Sequence, residues 1–397
     1  MANTLTPAPP PPLGIPDSPH TVKIQAINTT MQLYVRSENF LNPVIPGHEA
    51  WNCPAMAFLI THPESKKKVL FDAGARKDYW NYSPFTAEKF AKGVNVKGLR
   101  IDMGVDEVLV EAGVELDSLD AVIWSHWHFD HIGDTSKFPS SVTLIVGPGF
   151  TSNLLPGYPS NPTSPLLETD YTGREMREIS FFSCLRIGQF RAHDFFGDGS
   201  FYLLDVPGHA IGHMCGLART TSNPSSFILM GADSCHFAGS LRPSAYIPLP
   251  DTISGLDNYY STPCPCDIFG TCHPSHGSEE EKRTTPYYSA SVAPKSVYID
   301  PETANQSVRG LMEFDAAPEV FICLAHDPAL FEVLPMINED PSADVCDWLE
   351  RRYKEDTNWK FLNELPKGGK SGRKPIVEGF WRGGRRVDVG EAMRREK

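Results

Sequence analysis

Four side chains with metal-binding chemistry stand within one six-residue stretch of this chain: His126, His128, Asp130 and His131. Imidazoles this close together would repel one another if protonated, and burying them without partners would be costly. A divalent cation resolves both problems, because neutral imidazole and carboxylate are good ligands for zinc. His126 and His128 are two residues apart, so an extended segment presents both to the same side. The carboxylate between the histidines predicts a second ion beside the first.

Further candidate ligands occur downstream, each directly after a predicted strand. His209 follows FYLLDVPG, Asp233 follows FILMGA and His326 follows VFICLA. Strands of one layered fold end at a common edge, so polar residues placed there can meet in space. The sequence therefore predicts one site that combines these three residues with the cluster at 126–131.

The elements that must position this site are mostly short strands. Short apolar or alternating runs bounded by turn residues predict them, at Val22–Ile27, Met31–Val35, Ala55–Ile60, Val69–Phe71, Ala121–Trp124, Val142–Val146, Ser180–Phe182, Phe190–His193, Ser200–Asp205, Met214–Ala218, Phe227–Met230 and Glu319–Leu324. Helices are predicted at Asp106–Gly113 and, on the surface, at Asp347–Leu362. Two groups of strands with helices between them indicate an α/β fold, an αββα sandwich of two packed sheets with helices outside.

The chain divides by composition into an arm and one large domain. Residues 1–20 form a proline-rich N-terminal arm, which is expected to be extended or disordered. The domain spans residues 21–397. Within it, residues 241–313 lack the strand rhythm and are predicted to be a long insertion or lid. Residues 345–397 are predicted to be a C-terminal helix followed by a basic, glycine-containing tail.

Bulk composition excludes several classes of protein. The formal net charge of -13 argues against a nucleic-acid partner, since nucleic-acid binders usually show a basic patch or stripe. The N-terminus lacks the basic start and apolar run of a secretory signal, and no segment has the apolar length of a membrane span. The 9 cysteines show no disulfide-like spacing. We therefore expect a cytoplasmic protein with reduced thiols and no membrane partner.

The motifs as a set resemble those of the metallo-β-lactamase superfamily, in particular the branch of the N-acyl-homoserine lactonases and their fungal relatives. The matching pieces are FDAG at 71–74, SHWHFDH at 125–131, PGHAIGH at 207–213, GAD at 231–233 and AHD at 325–327. Together they cover the chain from about residue 55 to about residue 335.

The resemblance implies a set of ligands for each of two metal ions. One ion would be bound by His126, His128 and His209, and the other by Asp130, His131 and His326. Asp233 would bridge them together with a water or hydroxide. Asp72 is implied to orient a metal-bound imidazole, and His213 is expected to lie outside the ligand set.

A hydroxide between two cations stays nucleophilic near neutral pH, so the expected chemistry is hydrolysis of a carbonyl compound. The resemblance favours a small-molecule cyclic ester or amide, namely a lactone, lactam or cyclic carbamate. Asp130 or His236 is the candidate proton donor; His236 occupies the position that a tyrosine holds in the homoserine lactonases. Two alternatives remain open: a thioester or ester hydrolase of glyoxalase-II type, and a one-iron thiol dioxygenase. The resemblance allows a monomer or a homodimer.

Two other groups of residues have less specific patterns. Cys264, Cys266, Cys272 and His273 match no closed zinc pattern, so a loop that contains cysteines is the favoured interpretation. Aromatic residues that precede the metal motif could line a substrate pocket or could serve ordinary packing, and these are Trp51, Tyr79, Trp80, Tyr82 and Phe85.

Overall fold

A computed structural model describes residues 5–93, 95–182, 184–257 and 260–395. Within these ranges the β-strands are β1 Lys23–Asn28, β2 Met31–Arg36, β3 Leu41–Asn42, β4 Ala50–Asn52, β5 Met56–Thr61, β6 Lys68–Phe71, β7 Val96–Ile101, β8 Ala121–Ile123, β9 Thr143–Val146, β10 Met176–Glu178, β11 Arg186–Ile187, β12 Phe190–Asp194, β13 Phe201–Asp205, β14 Met214–Ser222, β15 Ser225–Ala232, β16 Thr252–Ile253, β17 Cys264–Pro265, β18 Ser289–Ala290, β19 Val320–Leu324, β20 Gly379–Arg382 and β21 Arg385–Val387.

The α-helices in the same ranges are α1 Pro84–Ala91, α2 Val105–Glu111, α3 Phe129–Ile132, α4 Phe150–Leu154, α5 Glu279–Thr284, α6 Pro301–Ala316, α7 Pro328–Val333, α8 Trp348–Arg351, α9 Tyr353–Thr357 and α10 Val389–Ala392. Within the described part of the chain, none of them combines the length and the apolar character that a bilayer crossing requires. The first four residues of the predicted arm, residues 258 and 259 of the predicted insertion and the last two residues of the tail lie outside the described residues.

Two six-stranded sheets form the centre of the molecule. The first has the order β1-β5-β6-β8-β9-β10, with antiparallel pairing from β1 to β6 and parallel pairing from β6 to β10. The second has the order β11-β12-β13-β14-β15-β19, and its pairing is antiparallel except between β15 and β19, which are parallel. The parallel strands β8, β15 and β19 lead at their carboxyl ends into predicted ligands, and the antiparallel strand β13 leads into His209.

The two sheets pack face to face through apolar side chains. Phe58 and Phe71 of the first sheet share a buried cluster with Phe201, Met230 and Phe321 of the second. Alternate residues of the same strands point the other way, as the period of a strand requires. On the outer face of the first sheet, residues such as Leu70 and Val122 pack with Val108 and Leu109 of α2.

On the outer face of the second sheet, Leu229 and Ile322 belong to the same buried cluster as Leu311 and Phe314 of α6. The sequence of layers is therefore helix, sheet, sheet, helix. The αββα sandwich predicted from the sequence is confirmed.

A third sheet was not predicted. Its order is β21-β20-β7-β2-β4, and it joins strands from the first hundred residues to a hairpin near the C-terminus. The predicted basic tail supplies that hairpin, because β20 pairs in parallel with β7 and in antiparallel with β21. Local sequence patterns do not report such long-range pairing.

Two predicted elements are wrong. Residues Ser180–Phe182 are irregular, and the strand in this region is β10, which pairs with Leu144–Val146 of β9. The predicted helix Asp347–Leu362 is broken into α8, α9 and a 3-10 turn at Lys360–Asn363, with Arg352 at φ 62° between the first two. The break has a tertiary cause: the buried Lys354 ammonium donates to the carbonyl oxygens of Asp315, Ala317 and Val320 at 2.6 to 2.8 Å.

Helix α6 is the main regular element inside the stretch predicted to be a lid. Asp300 caps its first turn by accepting from the Thr303 backbone N–H, and Pro301 occupies the first helical position. Asp315, in the last turn of the helix, forms a bidentate ion pair with Arg242, with Nε–Oδ2 at 2.7 Å and Nη2–Oδ1 at 2.6 Å. Both side chains are buried, so this pair fixes the start of the stretch to the end of its helix.

The described part of the N-terminal arm is extended and attached to the domain. Ala8 N–H donates to the Ala245 carbonyl, and the Leu13 carbonyl accepts from Gly188 N–H. The buried Arg219 guanidinium donates to the Pro16 carbonyl at 2.5 Å. Leu13 itself is buried in the core that lies against the second sheet.

Candidate metal centre

The seven predicted ligands all stand just beyond strand ends, at one edge of the sandwich. The cluster His126–His131 follows β8 and includes the first residues of α3, while His209 lies in the loop between β13 and β14. Asp233 directly follows β15, and His326 comes two residues after β19. Because β15 and β19 are parallel neighbours, their carboxyl ends bring Asp233 and His326 together.

Three imidazole nitrogens converge on one point, which we call site 1. His209 Nε2 lies 3.1 Å from His126 Nε2 and 2.9 Å from His128 Nδ1. Asp233 Oδ2 completes the group, at 3.4 Å from His209 Nε2 and 3.6 Å from His126 Nε2. Ligand atoms of a tetrahedral zinc ion stand about 3.3 Å apart, given zinc–nitrogen bonds of about 2.05 Å. The residues of site 1 therefore fit a small divalent cation.

The other Asp233 oxygen faces a second group, which we call site 2. Asp233 Oδ1 lies 3.0 Å from His131 Nε2 and 3.0 Å from His326 Nε2. Asp130 is adjacent, with Oδ2 at 3.6 Å from His326 Nε2 and Oδ1 at 3.9 Å from His131 Nε2. The structure thus brings all seven predicted ligands together in two groups that share one carboxylate.

Several of these buried atoms have no hydrogen-bond partner. His131 Nε2, His326 Nε2 and Asp233 Oδ1 are close to one another but lack hydrogen-bond geometry. A buried polar atom without a partner costs free energy unless something else satisfies it. A divalent cation at site 2 would satisfy all three atoms at once, so the residues of site 2 also fit a metal ion.

The electrostatics of the two sites differ. Burial lowers the pKa of His128 to about 3 and that of His126 and His209 well below the usual value, so these imidazoles are neutral, as metal ligands must be. At His131, burial acts in the same direction, but the Asp233 and Asp72 carboxylates outweigh it and raise the pKa to about 10. Site 2 therefore favours positive charge, which a divalent cation would supply.

A set of hydrogen bonds fixes the orientation of the ligand imidazoles. His131 Nδ1 donates to Asp72 Oδ2 at 2.8 Å, and the same carboxylate accepts from the Ser125 backbone N–H and hydroxyl. Asp72 follows β6, which pairs in parallel with β8, so the two strand ends place the carboxylate beside the 125–131 segment. His326 Nδ1 donates to the Pro54 carbonyl at 2.6 Å.

His213 supports the site without facing a metal position. Its Nδ1 donates to the Val206 carbonyl at 2.8 Å, so its neutral ring can accept at Nε2 from the Asp233 backbone N–H at 3.2 Å. This agrees with the expectation that His213 lies outside the ligand set.

We predict that Asp72→Asn weakens metal binding, activity or both by about 10- to 100-fold, the usual cost of removing a hydrogen-bond partner of a ligand histidine. The asparagine amide has one N–H₂ group in place of a carboxylate oxygen. This group would face at least one of the donors that Asp72 now accepts from, and two donors cannot bond to each other. Zinc competition titration and steady-state kinetics check this prediction. Asp198→Asn is a matched control, because Asp198 also accepts from a histidine, His62, at 2.6 Å, and it belongs to none of the groups of described residues that could hold a metal ion. An equal loss in both variants would contradict the prediction.

The site is least buried on the side of His128. This ligand is half-buried, as are its neighbours Trp127 and Phe129, whereas the other ligands are buried. Helix α1 borders this side, with the Phe90 and Phe129 rings edge to face at 4.9 Å. Aromatic rings therefore border this side of the site.

The predicted aromatic wall is only partly beside the site. Tyr82 donates its hydroxyl to the Phe129 carbonyl at 2.8 Å, and Trp51 contacts the Phe40 ring, which in turn packs on His236 at 4.9 Å. The other three are elsewhere: Tyr79 donates to the Trp381 carbonyl, Trp80 stacks under Arg382, and Phe85 lies at the surface.

The cysteine-containing loop forms no common centre. The Cys264, Cys266 and Cys272 thiols each point to a backbone carbonyl, and His273 Nε2 donates to the Thr285 carbonyl at 3.0 Å. Among the residues that the structure describes, no group that could hold a metal ion includes a cysteine.

Sequence reasoning missed one side chain in the site, Tyr298. Its hydroxyl lies 2.7 Å from His236 Nδ1, and its ring is 5.2 Å from the ring of His209. Tyr298 comes from the stretch predicted to be a lid and stands in none of the recognisable motifs. The capping pattern Asp300–Pro301 just after it marks the start of α6 and was the available signal for an ordered segment there.

Comparison with known proteins gives three similarities. A family model for the metallo-β-lactamase superfamily matches residues 50–219. The chain is 41% identical over 363 residues to a metallo-hydrolase of Annulohypoxylon moriforme, covering 91% of this chain and 92% of that protein. It is also 41% identical over 367 residues to a gamma-lactamase of Fusarium pseudograminearum (strain CS3096), covering 90% and 85%.

Among solved structures, the fold is similar to that of an N-acyl homoserine lactone hydrolase with N-hexanoyl-L-homoserine, its product, at the catalytic metal centre. The TM-score is 0.50 at 17% sequence identity, over 80% of this chain and 98% of that one. At this identity the likeness concerns the fold alone. The two fungal similarities, in contrast, extend over nearly the whole chain.

Proposed function

The chain belongs to the metallo-β-lactamase superfamily and is a hydrolase, and we propose that it uses two divalent metal ions to open a lactone, lactam or cyclic carbamate ring. One observation carries the proposal. The two oxygens of Asp233 face two separate groups of ligands, at 3.4 and 3.6 Å on one side and at 3.0 Å on the other. A carboxylate in that position suits a bridge between two cations.

We assign the ligands to the two ions as the family resemblance implies. His126, His128 and His209 would hold one ion, and Asp130, His131 and His326 the other. Zinc is our first choice for both, because the donor set is imidazole and carboxylate. When bound, such ions lower the pKa of a water molecule between them and polarise the carbonyl that is attacked.

The protein must also supply a proton to the leaving group. Hydrolysis adds water across the carbonyl C–O or C–N bond, which leaves a carboxylate and releases an alcohol or amine. Asp130 is the group we assign to this proton, because its carboxylate lies at site 2, with Oδ2 at 3.6 Å from His326 Nε2 and Oδ1 at 3.9 Å from His131 Nε2. His236 is less suited, because both of its ring nitrogens have partners.

Two considerations support ring substrates handled by two ions. The relatives that cover most of this chain include a protein named as a gamma-lactamase. A one-iron oxygenase would use the ligands of site 1 and leave the unpartnered nitrogens of His131 and His326 buried without a function. A second ion at site 2 would give these two nitrogens a partner.

The deciding measurement is metal content followed by a substrate panel. We expect about two divalent ions per chain, and hydrolysis of five-membered lactones, lactams or cyclic carbamates at rates well above those for linear esters and thioesters. One iron per chain with oxygen consumption would contradict the proposal. Turnover of thioesters faster than that of every ring substrate would contradict its substrate class.

Removal of the metals is expected to abolish turnover. Prolonged dialysis against a chelator should lower the rate to the level of the uncatalysed reaction, because no side chain of the site replaces a metal-activated water. Two equivalents of zinc should restore it, whereas one should not. Restoration by a single equivalent, or activity that survives in metal-free protein, would contradict the two-ion mechanism.

A further inference from the structure

Tyr298 and His236 form a chain of contacts that ends on the bridging carboxylate. The Tyr298 hydroxyl lies 2.7 Å from His236 Nδ1, and His236 Nε2 lies 3.0 Å from Asp233 Oδ2. All three side chains are buried. The His236 ring also stacks on the ring of His326, with centroids 5.7 Å apart and planes within 5°. His236 therefore has a single well-defined position between a hydroxyl and a carboxylate.

The direction of donation along this chain of contacts follows from the partners. Asp233 Oδ2 can only accept, so its close contact with His236 Nε2, at 3.0 Å, is favourable when Nε2 carries the hydrogen. A neutral imidazole carries one N–H, and here the carboxylate places it on Nε2. Nδ1 is then an acceptor, and the Tyr298 O–H donates to it. The chain runs from Tyr298 through His236 to Asp233.

Tyr298 is firmly placed because its segment packs on the His209 loop. Ile299 N–H donates to the His209 carbonyl at 3.1 Å, and Asp300 N–H donates to the Gly208 carbonyl at 3.0 Å. Gly208 has φ +120°, and a Cβ there would stand 2.1 Å from the backbone nitrogen of Ala304. Only glycine permits so close an approach of α6.

We propose that Tyr298 and His236 act in series to fix the orientation of the Asp233 carboxylate between the two metal positions. His236 is then a positioning residue, neither a metal ligand nor the proton donor, and Tyr298 sets its tautomer. This inference rests on the proposed two-ion site. It assigns a role to a residue in the stretch that the motifs do not cover.

The proposal competes with a specific alternative. His236 Nε2, His326 and Asp233 lie close enough together to hold a metal ion among themselves. A ligand nitrogen carries no hydrogen, so His236 would then donate from Nδ1 to Tyr298 and accept nothing from it. Metal stoichiometry separates the two assignments, since loss of a ligand removes an ion, whereas loss of a positioning group weakens its binding.

The test is zinc binding to the full-length protein, measured by competition with a chromophoric chelator. For Tyr298→Phe we expect about two ions at saturation, with the affinity of the weaker site lowered about tenfold. For His236→Ala we expect the same stoichiometry and a loss nearer 100-fold. The double variant should bind zinc no more weakly than His236→Ala. Tyr298 acts only through His236 in this proposal, so its loss has no further effect on zinc affinity once His236 is absent. His236→Gln keeps an N–H donor at about the right distance and should recover most of the affinity.

Tyr287→Phe is the matched control. Tyr287 is as buried as Tyr298, but its hydroxyl has no hydrogen-bond partner among the described residues, so its removal should leave zinc affinity unchanged. Circular dichroism and a melting curve establish folding for each variant. If Tyr298→Phe does not fold, the comparison of His236→Gln with His236→Ala still tests the role of His236.

Three outcomes would overturn the proposal. One fewer ion at saturating zinc in both His236 variants would make His236 a ligand. Unchanged zinc affinity in Tyr298→Phe, together with a large loss in His236→Ala, would show that Tyr298 does not act through His236. Additive losses of affinity in the double variant would show the same. Because the readout is zinc affinity, it is independent of the substrate: a wild-type protein that binds two ions but opens no ring would contradict only the substrate class.

Discussion

Replacing Asp233 by asparagine should lower the rate of hydrolysis at least about a thousandfold, on the order of 4 kcal/mol in the activation free energy, and reduce the bound metal from two ions to one or none. The amide has the shape of the carboxylate but no charge, and its nitrogen cannot coordinate a cation. It would turn an N–H₂ group either toward His131 and His326, now 3.0 Å from Oδ1, or toward the nitrogens of site 1. Elemental analysis and steady-state kinetics measure both effects.

Asp205→Asn provides the comparison. Asp205 also ends a strand of the second sheet, and it belongs to none of the groups that could hold a metal ion among the residues described. It should retain two ions and near-normal turnover. If Asp233→Asn also kept two tightly bound ions, the bridging role of Asp233 would be wrong.

Arg242→Met should have the largest effect on stability. Its side chain is 3% exposed and that of its partner Asp315 is 1% exposed, so removal of the arginine leaves a buried carboxylate without its bidentate partner. Breaking a buried pair in this way typically costs roughly 3–5 kcal/mol of the free energy of unfolding. Denaturant titration, followed by fluorescence, should show a lower midpoint of unfolding.

The double variant Arg242→Met/Asp315→Leu separates the ion pair from the packing. Since two apolar side chains leave neither charge of this pair buried, most of the lost stability should return. Arg351→Met serves as the control, because Arg351 pairs with Asp347 at the surface and its loss should leave the midpoint unchanged. If the double variant were less stable than Arg242→Met, the unpaired Asp315 carboxylate would not be the cause of the loss in the free energy of unfolding.

The ligands of the candidate site were predictable because each lies in a short motif at a strand end. His126, His209 and Asp233 follow apolar runs that are buried in the structure as well. A strand needs only a few residues to be recognised, and the residue after it must emerge at the edge of the sheet. Local patterns of this kind were enough for the αββα fold and for the convergence of the seven side chains.

The rest depended on contacts between distant segments. Tyr298 reaches the site because its segment docks on the His209 loop, and nothing near Tyr298 in the sequence encodes that loop. The segment after Asp347 has the pattern of a helix, but Lys354 turns inward to three carbonyl groups and the helix breaks at Arg352. In both places a tertiary contact outweighs local propensity.

The parallel pairing of β15 with β19 bears on how the protein is made in the cell. A ribosome that has finished β15 has produced Asp233, yet β19 and His326 are still to be synthesised. Pairing between segments so far apart in the chain also forms slowly compared with local structure. Under the proposed two-ion assignment, site 2 becomes complete only after translation has passed β19. Metal binding at site 2 would then follow the synthesis of β19, whereas every ligand of site 1 has been made once the chain reaches Asp233.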